Sequence, residues 1–169
     1  MRTLVTLISL MIFSGAIVLL PPSANAQNVS VDYDERVDFG KYETFAWRDG
    51  TPVENDLSDH RITSAVENEL GIKGYWLDEG EPDLYLVYHA SAKEEVDLAG
   101  AGYRATWTSP ATIKVERHIA GTLVLDILDA KKGRLLWRGI ATATVDPNPQ
   151  KNQTVINKAV RKLLEGFPP

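Results

Sequence analysis

The chain has 169 residues, 44% of them hydrophobic and 24% charged, with a formal net charge of −5. That acidity argues against a nucleic-acid protein, which needs a basic face. It contains no cysteine, which excludes disulfides, thiolate catalysis and thiolate metal sites, and removes the lipid-accepting residue that would tether an exported bacterial protein to a membrane.

In chain order, Arg2 supplies a positive start, Leu4 to Leu20 is an apolar run, Pro21-Pro22 breaks it, and Ala24-Asn25-Ala26 presents small residues three and one before a cut. This pattern predicts a secretory signal peptide over residues 1–26, with Ala24 and Ala26 marking the cleavage site and Gln27 the first mature residue. The run is shorter than the roughly 20 apolar residues of a membrane span, so membrane anchoring is not expected once the leader is cut. The expected location is the periplasm or the exterior, with outer-membrane association left open. Residues 27–169 then have the size of one domain with one core.

Val29-Ser30-Val31-Asp32-Tyr33 alternates apolar and polar side chains, the period of a half-buried strand. Thr44-Phe45-Ala46-Trp47, ahead of the turn-forming Arg48-Asp49-Gly50, predicts a second strand. Phe39, Tyr42, Phe45 and Trp47 mark core. From Ser58, taken as the N-cap, Ile62, Ala65, Val66 and Leu70 follow helical spacing, and Gly71 and Gly74 end that helix. Leu84 to His89 is too short and too rich in β-formers for a helix and predicts a third, mostly buried strand. Between Ser91 and Thr112 periodicity disappears, which predicts a long irregular loop. Ile119 to Leu128 and Leu135 to Val145 predict a hairpin turning at residues 129–134, where Gly133 is available for a positive φ. On one side of its second arm Gly139, Ala141 and Ala143 leave room for a close helix. That helix follows: Asn148 caps, Pro149 suits a first position, and Val155, Ile156, Ala159, Val160, Leu163 and Leu164 form its apolar stripe, with Phe167 tucking back after Gly166. The order predicts an α+β fold, an antiparallel or mixed sheet with two helices on one face, in two layers.

Catalytic signals are weak. His60, His89 and His118 show no spacing that would aim two imidazoles at one metal. His89 and Ser91 share a strand face and Asp126 could lie near, but the G-x-S-x-G elbow of a serine hydrolase is missing. A hydrolase site near His89 and His118 is the alternative reading. The acidic group Asp32, Asp34, Glu35 and Asp38 lacks the order of a calcium loop and reads as a solvated strand end. Lys151, Lys158, Arg161 and Lys162 make the last helix basic on its outer side, which suits the helix dipole. Asp126 and Arg138 could form a cross-strand pair if the register puts them on one face. Tyr103 and Trp107 have no evident core position and lie in the glycine-bearing loop. They are the candidate contact residues, since aromatics give large contact area at low entropic cost.

Taken in order, Val31-Asp32-Tyr33-Asp34, Asp38-Phe39, Tyr42 with Thr44-Phe45-Ala46-Trp47, Ala65-Val66, Lys73-Gly74-Tyr75, Pro82-Asp83-Leu84, Gly121-Thr122-Leu123-Val124-Leu125-Asp126, Leu136-Trp137-Arg138-Gly139, Ile156-Asn157-Lys158-Ala159-Val160 and Phe167-Pro168-Pro169 resemble the bacterial envelope family known as domain of unknown function 4136. Many of its members look like exported lipoproteins. The resemblance implies a small envelope-exposed α+β domain and brings no substrate or catalytic residue. The missing lipobox cysteine sets this chain apart from the lipoproteins. The sequence therefore predicts a non-catalytic envelope protein, a binding or assembly module without cofactor or metal, whose partner is another envelope protein or a glycan.

Overall fold

The structure, a computed structural model, describes residues 28–53, 55–99 and 114–168, the side chains of 96–99 and 114–117 excepted. The leader with Ala24, Ala26 and Gln27, and the contact candidates Tyr103 and Trp107, lie outside the described residues. Six strands, β1 (Asn28–Tyr33), β2 (Thr44–Trp47), β3 (Trp76–Leu77), β4 (Leu84–Ala99), β5 (Lys114–Asp129) and β6 (Leu135–Val145), form one sheet in the order β1-β6-β5-β4-β2-β3. The helices are α1 (Asp56–Ile72) and α2 (Gln153–Leu164). β2 lies parallel to both β3 and β4, and the other pairings are antiparallel. The sheet is therefore mixed. Its parallel part follows from connectivity, because a strand can return beside its predecessor in the same direction only through a long crossover, here α1.

α1 and the turn that leads into α2 each start where the sequence offers an acceptor for free amide groups. α1 is capped by Asn55, whose side chain accepts from the Ser58 N–H at 3.0 Å. The expected cap, Ser58, lies within the first turn; its own amide is one of the unpaired donors that need satisfying. Asn148 accepts from the Gln150 N–H at 3.0 Å and opens a short 3₁₀ turn, Pro149–Asn152, that runs into α2. Gly133, with φ of 63°, closes the turn between β5 and β6.

The expected irregular stretch from Ser91 is corrected at its start. β4 continues to Ala99, and β5 begins at Lys114 opposite it. Past Ala90 and Ile119 this pair has left β2 and β6 behind and runs on as a two-stranded ribbon. Ser91 to Glu95 are exposed, so neither face selects the apolar alternation by which a strand is recognised.

Both helices cover the same face of the sheet. Arg61 Nη1 of α1 donates to the Pro149 carbonyl at 2.9 Å, and Glu69 further along accepts from Arg161 Nε at 3.2 Å. The two helices thus run side by side in the same direction. Leu84, Leu86 and Tyr88 of β4, Leu123, Leu125 and Ile127 of β5, and Trp137 of β6 are buried beneath them with Val66, Leu70, Val160 and Leu163. The expected close approach occurs at Gly139, where an added Cβ would lie 2.3 Å from Trp137 Cη2 and 2.7 Å from Leu163 Cδ1. Phe167 does tuck back, with ring centroids 5.5 Å from those of Phe39, Tyr75 and Trp137.

Candidate contact face

Successive residues of a strand point to opposite faces, so the registers define what the second face presents. Opposite the helices, three neighbouring rows run across the sheet. Tyr85, Leu128 and Leu135 form the first, Val87, Asp126, Arg138 and Asp32 the second, and His89, Val124, Ile140 and Ser30 the third. No helix among the described residues covers them. Leu135 and Ile140 are exposed, and Tyr85, Val87, Val124 and Leu128 are half-buried. The result is an apolar surface with a row of charge through it.

That row is built by register alone. Asp126 sits directly across from Arg138, and the guanidinium grips it with both nitrogens, Nε to Oδ1 at 2.6 Å and Nη2 to Oδ2 at 2.5 Å. Asp126 is 7% exposed, so a bidentate partner is what makes its charge tolerable there. The fork raises the Arg138 pKa, with Asp32 on the far side adding to it. At the edge of the face the Arg48 guanidinium lies 3.9 Å over the Tyr85 ring, a cation held on an aromatic face.

The imagined Ser, His and Asp grouping does not form. Asp126 is one row from His89 on the same face, but its carboxylate is taken by Arg138. His89 Nδ1 is 2.9 Å from the Thr51 hydroxyl instead. His118 is further along the ribbon, with Nε2 3.5 Å from Glu95, and His60 is exposed on α1. Among the described residues no group of three or more His, Asp or Glu side chains could hold a metal ion.

The acidic strand end is held by arginines. Asp34 bonds Arg36 at 2.8 Å and meets Arg134 at 3.1 Å, and the Arg36 side chain above all lowers its pKa to about 2. Asp38 accepts from the Gly40 N–H. On the basic side of α2, Arg161 pairs with Glu69, and Lys151, just ahead of the helix, with Asp146. Trp137 is buried as expected, while Trp47 is half-buried and donates to Glu67 at 2.8 Å.

Tyr85, Val87, Val124 and Ile140 were not among the sequence candidates. In the sequence they sit within continuous apolar runs, and only the alternation of Leu84, Leu86 and Tyr88 with Tyr85 and Val87 could have marked them. The exposed edge pair Trp76 and Leu77 was likewise missed, because two residues carry no period.

An open mixed sheet with two helices on one face and, among the described residues, no helix on the other defines a small α+β protein. The model of the family described as domain of unknown function DUF4136 matches residues 29–169; the chain belongs to that family. No curated protein matches it. Among solved structures it is similar to a PDZ domain protein from Parabacteroides distasonis, with TM-score 0.53 and 22% identity over 84% of this chain and 36% of that one. It therefore spans about a third of that protein. It is also similar to PelC from Paraburkholderia phytofirmans, solved as a dodecamer, with TM-score 0.54 and 12% identity over 82% of this chain and 95% of that one. At these identities the likeness is one of fold.

Proposed function

We propose that the protein is a non-catalytic binding or assembly module of the bacterial cell envelope, carried to the periplasm by its leader, and that it engages another envelope component through the uncovered face of its sheet. The observation that carries this reading is the face itself: the apolar side chains Tyr85, Leu128, Leu135, Val124 and Ile140 lie on a side of the sheet that no helix among the described residues covers, while the core is built on the other side. Exposed apolar surface of this kind marks interaction sites. Membership of DUF4136 supports the envelope setting, and the dodecamer formed by PelC, a protein of similar fold, supports the assembly side of the reading. Tyr103 and Trp107, which the sequence places between β4 and β5, are proposed to extend the contact beyond the sheet.

The test is site-specific photo-crosslinking in living cells. A photoreactive residue at Val124, Ile140, Tyr103 or Trp107 is expected to give a discrete adduct, and one at Ile72, 80% exposed on the helix side, is expected to give none. His118→Ala, out on the β4–β5 ribbon, should leave the adducts unchanged. Adducts from Ile72 alone would overturn the reading, and loss of a hydrolytic activity in His89→Ala or His118→Ala would favour the hydrolase alternative instead.

A further inference from the structure

The helix side of the sheet carries a second feature, independent of the uncovered face. α1 and α2 run in the same direction, so their amino-terminal turns lie together over one end of the sheet, and there the floor consists of Ala90, Ala92, Gly121, Ala141 and Ala143. Small side chains below and helices held by larger residues further along leave a crevice of about 120 Å³, walled by Ile62, Leu123, Val155, Ile156 and Ala159. That is close to the roughly 150 Å³ at which an apolar cavity takes up benzene. It has room for the last few carbons of one alkyl chain and not for two chains side by side.

The crevice opens into a wider cleft of about 610 Å³, and Val145, Asn152 and Val155 line both. The outer cleft mixes apolar side chains such as Ile119 and Val145 with charges of both signs. Lys151 lies 3.3 Å from Asp146, and His118 and Glu94 complete its rim. A purely anionic group placed there meets Asp146, and a purely cationic one meets Lys151. A head group bearing both charges can set its anion against Lys151 and its cation against the Asp146 carboxylate. The Asn152 side chain, at the junction, already accepts from the Asp146 N–H and donates to the Asp146 carbonyl, at 2.8 and 2.9 Å, and so fixes the shape of the opening without needing a ligand to satisfy it.

We propose that these two adjoining clefts are a binding site for a single-chain zwitterionic amphiphile, its alkyl end in the crevice between α1, α2 and the alanine floor and its head group over the Lys151–Asp146 pair. The site lies on the opposite side of the sheet from the proposed contact face, so either can fail without the other.

The experiment is calorimetric titration of the full chain with octylphosphocholine below its micelle concentration, paired with thermal unfolding. Saturable one-to-one binding is expected, with an unfolding temperature that rises with ligand as mass action requires. Ala143→Leu, which fills the crevice, should weaken binding at least tenfold. Ala92→Leu does the same from an exposed position and serves if the first variant folds poorly. Octyl sulfate and octyltrimethylammonium, carrying one sign each, should bind at least tenfold more weakly than octylphosphocholine. Absence of saturable binding, equal affinity in both leucine variants, or equal affinity for the singly charged amphiphiles would overturn the proposal.

Discussion

At Gly139 the packing of the helix on the sheet leaves no room for a side chain. Its missing side chain is what lets Trp137 and Leu163 meet above β6, since a Cβ there would lie 2.3 Å and 2.7 Å from them. Gly139→Ala should destabilise by about 1 to 3 kcal/mol, the usual cost of overpacking, read as a lower unfolding temperature. Two positions along, Ala141 is also buried, but it lines the 120 Å³ crevice. A leucine at Ala141 has that space to enter, so Ala141→Leu should stay within about 1 kcal/mol of the parent. A second residue-scale prediction concerns the fork on the open face. Arg138→Ala leaves the Asp126 carboxylate unpaired at 7% exposure and should cost about 1 to 3 kcal/mol. Because Asp126→Ala removes the same interaction, the double variant should lose less than the sum of the singles, which chemical denaturation of all four proteins will show.

At the scale of elements, two anchors stand out. The first is the carboxylate of Asp83, just before β4, which accepts the Glu43 and Thr44 amides at 3.1 and 3.3 Å and so ties the entry of β2 to β4. The Glu43 amide in particular lowers its pKa, and Asp34 at the end of β1 is lowered to about 2. A folded pKa below the unfolded value of about 3.9 means stability that is present above that value and lost as pH falls through the folded one. Unfolding temperature should hold steady from neutrality to about pH 5, then decline towards about pH 2. Asp83→Asn should make that decline shallower while keeping the amide contacts. The second anchor is Phe167, past the end of α2. It is 1% exposed and wedged among Phe39, Tyr75 and Trp137, so it pins the last helix to the sheet and to the segment after β1. Phe167→Ala should cost about 3 to 5 kcal/mol, which denaturant unfolding will measure.

For the whole molecule, two helices pack on one side of a six-stranded sheet, and none among the described residues lies on the other. Substitutions in the packed core, such as Phe167→Ala, should shift unfolding, whereas replacing both Tyr103 and Trp107 by Ala should leave unfolding within about 1 kcal/mol of the parent while the cross-link in the envelope is lost. A drop of several degrees would instead make that segment part of the fold's cover and move the contact to the basic side of α2. Export is tested by sequencing the mature amino terminus. Gln27 is the expected first residue, and a product retaining residues 1–26 in the envelope fraction would make the leader an anchor.

Much of the fold was legible in the sequence because it rests on local rules. The stripe from Val155 to Leu164 and the spacing of Ile62, Ala65, Val66 and Leu70 specify amphipathic helices without reference to anything distant. The small face at Gly139 announced the helix above it, and the ordered motifs from Val31 to Phe167 identified the family. What the sequence left open was everything set by pairing between distant strands. Register, decided only when β5 and β6 assemble, puts Asp126 against Arg138 rather than beside His89. The outward face of β4 and β5 stayed invisible because residues covered on one side and half-covered on the other give an apolar run instead of a period of two. The strand residues from Ser91 to Glu95 stayed invisible for the opposite reason: their side chains are exposed, so no burial imposes a pattern, and only the hydrogen bonds between β4 and β5 make them a strand. The crevice likewise belongs to tertiary structure, since five small residues on three strands form a floor only after the sheet and both helices have come together.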